Sequence, residues 1–538
     1  MKKFKMFSLG IKSRKSFPII VNICKRFYVK NNNLILKTLC LTKGIRINDF
    51  DIKNLNIIIN EKEYHPEFSF EKGIPFIRKY RINKMKLNIP IEDFSDIDIQ
   101  NKILVKYDEY TGRVIYNVFD LKKGKYRNSN IIFLNNMSIY LRQTIKNTMY
   151  LTVRETNKYD YLKNKIKVFI GYILSKMYFK KDIILLYEKE CSRYEESASM
   201  LYERLIDKNY NNSYYIINKD NPILNAIDNK YKKNIIYKDS LKHIIYFFKC
   251  KKFLATESLD HGLQLRIANR HVFKKLRSKD ISYVFLQHGV MYMISLDSDL
   301  RTAFRKQDCK LHKIIVSSKL EAKHFTDLGG FDINDLYICG LPKFDKAVRN
   351  NNSDKIVIMP TWRRWEINLA STDYEKTKYF KMIKRIINGI PKNLQDKIIM
   401  LPHPLMLQVI KNNEKYKKYI PDGEFTYDEI LKKCSLLITD YSSISYDAFY
   451  RGSNVIFYWE EKEECLKKYG ENTKLMLNEK NAFGPTVYNK KELSNIIIDF
   501  YLTEQKKEYI KKYKKIVEFS DNKNTERLIE MLKKDNVL

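Results

Sequence analysis

The stretch SLLITDYSSISYDAFYRGSNVIFY, from Ser435 to Tyr458, decides how the chain is read. Leu436, Leu437 and Ile438 form a short apolar run that reads as a buried strand, and it ends at Asp440. Ser442 and Ser443 follow, then Tyr446, Phe449 and Tyr450 recur at helical spacing. After Gly452 comes a second apolar run, Val455 to Phe457. Strand, polar turn, helix and strand make one unit of a parallel α/β sheet, where ligands bind beyond the carboxyl ends of the strands. Ser442 and Ser443 stand where a helix begins, and free N–H groups there favour a phosphate. Asp447, a turn further on, is placed to accept hydrogen bonds from a ribose. The competing reading makes Ser442 an N-cap and nothing more.

Working outward, the same grammar recurs from Asp182 onward. IILLYE, SYYIIN, NIIYKD, KKFLATE, SYVFLQHG and KIIVSS read as strands, with helical stretches such as Ser240–Lys249 between them. GLPKFD, Gly340 to Asp345, looks like a crossover. A second series follows: KIVIMPTWRR, KIIMLPHP, LLITDYSS and NVIFY. The expectation is an α/β protein with two Rossmann-like domains facing a cleft, 182–345 and 346–538, the second ending in a helix that packs back on the first. Upstream the period changes to two. Residues 34–158 are expected to form a small β-rich accessory domain, with a hairpin turn at Thr111-Gly112. Residues 1–33 read as a basic N-terminal segment. Residues 159–181 read as a basic amphipathic helix, with Leu162, Ile166, Phe169, Ile170, Ile173 and Met177 on one face and lysines on the other.

The 538 residues carry 100 Lys+Arg against 63 Asp+Glu, a formal net charge of +37. Such an excess points to an anionic partner, although Lys, Ile, Asn and Tyr are all abundant, as an AT-rich genome produces. No nucleic-acid-binding motif is present, so an anionic membrane surface or a phosphate-rich substrate is expected, and no nucleic acid. The eight cysteines form no C-x-x-C pair, and no metal site or cofactor is expected. No apolar run approaches the ~20 residues of a spanning helix, and the N-terminus has no continuous apolar signal segment.

Four strand ends carry unusual chemistry. After Tyr283–Leu286 come Gln287, His288 and Gly289. The glycine permits close backbone approach, and the histidine stands where a general base is useful. After Ile356–Met359 come Thr361, Arg363 and Arg364, and an arginine fork suits a diphosphate. After Ile398–Leu401, His403 is held between Pro402 and Pro404. The fourth is the unit Asp440, Ser442, Ser443, Asp447. His261, after the strand ending near Thr256, could line the same cleft. The absence of H-E-x-x-H, G-x-S-x-G and G-x-x-x-x-G-K-[ST] argues against zinc proteases, α/β-hydrolases and P-loop NTPases.

QHG, PTWR, PHP and TDYSS-x-x-x-D, in this order over roughly 182–510, resemble the CDP-glycerol glycerophosphotransferases, the teichoic-acid primases and polymerases. The resemblance implies a GT-B architecture. It also implies transfer of a polyol phosphate from a CDP-polyol donor to a hydroxyl of a lipid-linked or glycan acceptor, with CMP released, by a peripheral protein at the cytoplasmic face of the membrane. By position, His288 matches the proposed general base and His403 the histidine on the donor phosphates. Gly289, Lys343, Thr361, Arg363, Ser442, Ser443 and Asp447 fall in donor-binding segments, with Asp440 supporting. Lys343 stands where the family often shows arginine in G-x-P-R. After His288 the chain has Gly-Val-Met-Tyr where polymerases commonly show H-G-T-P. The alternative enzyme is another GT-B protein that uses a nucleotide-sugar donor.

Overall fold

The computed structural model describes residues 21–43, 54–59, 62–70, 80–94, 101–107, 110–113, 131–143, 149–178, 182–263, 270–276, 278–298, 304–306, 312–366, 369–370, 373–402, 414–421, 425–470 and 472–538. They fall into two compact units, residues 1–170 with 266–277, and 171–265 with 278–538.

The first unit is antiparallel. One sheet orders the strands Val21–Lys30, Asn33–Lys43, Tyr80–Pro90 and Glu67–Phe70. The other orders Lys62–Tyr64, Leu55–Ile59, Asn101–Tyr107, Met149–Glu155, Met137–Gln143 and Ile132–Leu134, with Tyr110–Arg113 paired to Asn101–Tyr107. Alternate residues point inward, so Leu34, Leu36, Leu87 and Ile89 of one sheet share a core with Ile57, Val105, Leu151 and Val153 of the other. Two boundaries differ from expectation. The β region begins at Val21 instead of residue 34, because Asn31 and Asn32 take positive φ and turn a hairpin that pairs Lys30 with Asn33. The basic residues of that strand hid its alternation. Thr111 and Gly112 are not a turn: Tyr107 pairs with Tyr110, and Thr111 and Gly112 lie in the strand opposite Lys106 and Val105. A glycine in a ladder position had read as a reversal.

The helix α1 (Leu162–Met177) follows. Its Val168, Gly171 and Ser175 are buried. A Cβ on Gly171 would lie 2.4 Å from Ile244 Cγ2, so only glycine fits there. Leu162, Ile166, Phe169, Ile170, Ile173 and Met177 stay exposed, Leu162 at 71% and Met177 at 66%.

Two parallel sheets fill the second unit. The first holds β1 (Ile184–Tyr187), β2 (Ser213–Ile217), β3 (Ile235–Tyr237), β4 (Lys252–Ala255), β5 (Ser282–Phe285), β6 (Lys313–Val316) and β7 (Leu336–Ile338), in the order β3-β2-β1-β4-β5-β6-β7. The second holds β8 (Lys355–Ile358), β9 (Ile398–Met400), β10 (Cys434–Thr439), β11 (Asn454–Tyr458) and β12 (Thr486–Val487), in the order β9-β8-β10-β11-β12. The central strands are buried at every position, as unbroken apolar runs under helices on both faces require. Strand order reverses between β1 and β4 in one sheet and between β8 and β10 in the other, and these are the points where open α/β sheets bind ligands.

Helices α2 (Ser197–Asp207), α3 (Leu241–Lys249), α4 (Lys319–Gly329), α5 (Tyr427–Lys433) and α6 (Ile444–Tyr450) flank the sheets. The chain then returns. In α7 (Lys507–Ile516), the Tyr513 hydroxyl donates to Tyr446 O in the second domain, while Ile516 O accepts from Ser317 Oγ in the first. In α8 (Asn524–Lys534), the first N–H groups donate to Asp345, and Asp535 just beyond accepts from the Tyr337 hydroxyl. By packing, α8 therefore belongs to the first parallel domain rather than to 346–538.

Candidate active site

The loop after β5 is held by buried polar groups. Gln287 takes φ 49°, a left-handed conformation costly for a residue with a Cβ. Its side-chain amide donates to Ile315 O. The buried carboxylate of Glu321, on α4, accepts from Met291 N at 2.6 Å, Ser317 N at 2.6 Å and Ser317 Oγ at 2.7 Å. Burial pushes its pKa above the ordinary carboxylate value, and these bonds offset part of the rise. Between the two anchors, the His288 side chain stays 45% exposed. Gly289 passes close to the other domain, since a Cβ there would lie 3.2 Å from Ser443 Oγ.

Lys343 joins the two walls. Its ammonium donates to His288 O at 2.7 Å and pairs with Asp447 Oδ1 at 2.5 Å. Ser443 is the N-cap residue of α6 but makes no side-chain capping bond, and Ser442 Oγ stands 3.5 Å from Ile444 N. The reading of Ser442 as a plain N-cap finds little support, and both hydroxyls line an open cleft of about 800 Å³. His288, Lys343, Ser442, Ser443 and Asp447 all face that cleft.

Thr361, Arg363 and Asp440 are placed otherwise. Arg363, 1% exposed, donates from Nη1 to Asp440 Oδ2 at 2.8 Å and from Nε to Glu461 Oε2 at 3.1 Å. Asp440 Oδ1 accepts from Thr361 N at 2.7 Å. Arg363 therefore ties the end of β8 to the end of β10 and does not line the cleft, so its expected role on a diphosphate is corrected to a scaffold role. Its charge is spent on two carboxylates that the sequence places 77 and 98 residues away. Thr361 does not line the cleft either, and its hydroxyl is buried without a partner. His403 lies outside the described residues. His261 pairs with Glu257, whose side chain lines the cleft.

The structure adds residues that the sequence reading missed. Glu196, at the start of α2, places Oε2 3.5 Å from His288 Nδ1. Glu188, after β1, is fully buried; burial, and then the Glu196 charge, push its pKa up to about 7. Arg451, at the end of α6, gives Nη2 to Asp428 Oδ1 at 2.5 Å, while Nε and Nη1 are buried without partners at the cleft wall. In sequence both Glu196 and Arg451 read as helix-end charges suited to the macrodipole.

Comparison with known proteins follows the same outline. Residues 169–534 match the family described as CDP-Glycerol:Poly(glycerophosphate) glycerophosphotransferase. The chain is 22% identical over 490 residues to the minor teichoic acid biosynthesis protein GgaB of Bacillus subtilis (strain 168), covering 86% of this chain and 50% of that protein, so it spans half of that relative's length. It is similar in structure to the wall teichoic acid polymerase TagF, with a TM-score of 0.50 and 15% identity over 69% of this chain and 94% of that one. That likeness is one of fold, a GT-B-like pair of Rossmann-like domains.

Proposed function

Because the chain belongs to the CDP-glycerol:poly(glycerophosphate) glycerophosphotransferase family, we propose that it moves a polyol phosphate, glycerol phosphate first among them, from a CDP-activated donor to a hydroxyl of a lipid-linked or glycan acceptor. The observation that carries this reading is the cleft itself. An exposed histidine on one wall faces two serine hydroxyls and an aspartate on the other, and a lysine spans between them.

In the proposed step His288 takes the proton of the acceptor hydroxyl, and that oxygen forms its bond to the phosphorus on the polyol side of the diphosphate. The bond from that phosphorus to the bridging oxygen breaks, and CMP leaves with the electron pair. Lys343 and the hydroxyls of Ser442 and Ser443 stabilise the charge that develops on the leaving group. Asp447 accepts from the ribose. His403, by family position, contacts the donor phosphates. Incubation with CDP-glycerol, CDP-ribitol and nucleotide sugars tests the reading: CMP release from a CDP-polyol supports it, and turnover only with a nucleotide sugar overturns it.

The same reading includes a membrane surface at the cytoplasmic face. Support comes from α1, whose apolar strip is exposed while a narrow small-residue face does the packing, and from lysines 163, 165, 167 and 176 beside that strip. Among the described residues no helix is long and apolar enough to cross a membrane. Each basic residue near an anionic leaflet contributes ~1 kcal/mol, weakened by salt. Sedimentation with anionic vesicles should fall as salt rises, and replacing Lys163, Lys165 and Lys167 with Glu should lower it further. Absence of binding at low salt would assign the charge elsewhere.

A further inference from the structure

The carboxylate of Glu196 meets Arg193 Nη1 only at 3.7 Å, through Oε1, and gives nothing to its own helix. It occupies the N-cap position of α2 yet makes no capping bond. Glu188 does that work: its Oε1 accepts from Glu196 N at 3.0 Å and Ser199 N at 2.8 Å, and its Oε2 from Glu195 N at 2.9 Å. A buried carboxylate oxygen left without a hydrogen bond is costly, so a chain that keeps one there has a use for it. Glu196 Oε2 is buried, makes no hydrogen bond, and stands 3.5 Å from His288 Nδ1.

The other charged groups facing His288 are already committed. Glu257, after β4, is paired with His261 and accepts from Glu190 N. Lys343, in the crossover, is bound to His288 O and to Asp447 of α6. Glu196 is therefore the carboxylate left to answer the imidazole, and we propose that it is the positioning residue of the base. It holds Nδ1–H, leaves Nε2 to receive the acceptor proton, and stabilises the imidazolium once that proton has moved. The proton stays on His288, and Glu196 remains ionised throughout. Burial alone would raise the Glu196 pKa, but the neighbouring His288 and Lys343 more than offset this and hold it below the ordinary carboxylate range. This inference rests on His288 being the base.

The test uses the full chain in three variants, Glu196→Gln, Glu196→Asp and His288→Ala. Histidine-selective NMR follows the His288 ring, assigned by its loss in His288→Ala, while CMP release from CDP-glycerol is measured against pH. In Glu196→Gln the ring nitrogen shifts should move from the Nδ1–H towards the Nε2–H tautomer, for want of the carboxylate that holds Nδ1–H. Turnover should drop ~10- to 10²-fold, short of the ~10²–10⁴ that general-base help supplies, with KM for CDP-glycerol unchanged. Glu196→Asp should recover part of the Nδ1–H tautomer. An unchanged tautomer in Glu196→Gln overturns the pairing even if no acceptor is at hand, because it needs no turnover. Near-normal turnover in His288→Ala overturns the underlying base assignment instead, so the two failures are distinct.

Discussion

The loops after β5 and after β8 each bring a cationic or basic side chain to the carboxyl end of a parallel strand, and the fold treats the two differently. Arg363 is enclosed, with Asp440 and Glu461 at hydrogen-bonding distance and 1% of its side chain exposed. His288 is 45% exposed and meets its nearest carboxylate only at 3.5 Å. One polar cluster is saturated and the other is left open. Saturation marks the scaffold, because a buried charge that lost its partner would be strongly destabilising. Incomplete partnering at an open cleft marks the place where a substrate can supply what is missing.

The sharpest way to break this contrast is His288→Ala. Transfer should fall by ~10²–10⁴, while CDP-donor affinity by calorimetry and the unfolding midpoint stay close to those of the parent. A variant that turns over normally would leave the open cluster without a task. Next in size is Arg363→Ala, which strands Asp440 in the interior. Urea unfolding should show a loss of ~3–5 kcal/mol, with donor affinity unaltered in the molecules that remain folded. Unchanged stability together with weaker donor binding would invert the comparison and return Arg363 to the diphosphate.

A smaller effect sharpens the contrast through pH. Glutamate in the unfolded chain ionises near its ordinary value of 4.5, whereas in the fold burial, and then the Glu196 charge, hold Glu188 up to about 7. Between those values the folded state retains the extra proton, so this group makes stability fall as pH rises through the window and adds no further change above it. Glu188→Gln should flatten that part of the stability–pH curve. It keeps one oxygen for Glu196 N and Ser199 N and gives up the bond to Glu195 N. A slope that persists in the variant would place the titration on another group.

Much of this architecture is written locally. Leu436–Ile438 and Ile356–Ile358 are short apolar runs that end in polar turns, so strand, loop and the facing cleft could be read from consecutive residues. Ser442, Ser443 and Asp447 come together at the start of α6 for the same reason. The edge strands β7 and β12, three and two residues long, were not read from the sequence. The fate of Arg363 was not legible because its partner is fixed by sheet order: β8 lies beside β10, with Ile358 opposite Ile438, and that adjacency brings Asp440 within reach. Glu196 was missed because a glutamate before a helix reads as a capping residue, and nothing nearby in sequence says that Glu188 has taken that role. The apolar strip of α1 was visible as a pattern. That Gly171 sits against Ile244 follows only from their closeness in the fold.

The Lys343–Asp447 pair gives the donor cleft a counter-ion of its own. A phosphate that enters competes with Asp447 for a single ammonium, and a ribose that reaches Asp447 releases that ammonium to the phosphate. On the proposed reading, donor binding is an exchange reaction in which one internal ion pair is traded for two contacts with the ligand. Such an exchange frees fewer bound salt ions than the neutralisation of a bare lysine would, so donor affinity should respond only shallowly to ionic strength. On the proposed reading the lysines of α1 meet an anionic surface through long-range attraction, and that attachment should respond steeply to salt. On that reading salt should separate the two attachments, loosening the protein from its surface while the nucleotide stays bound.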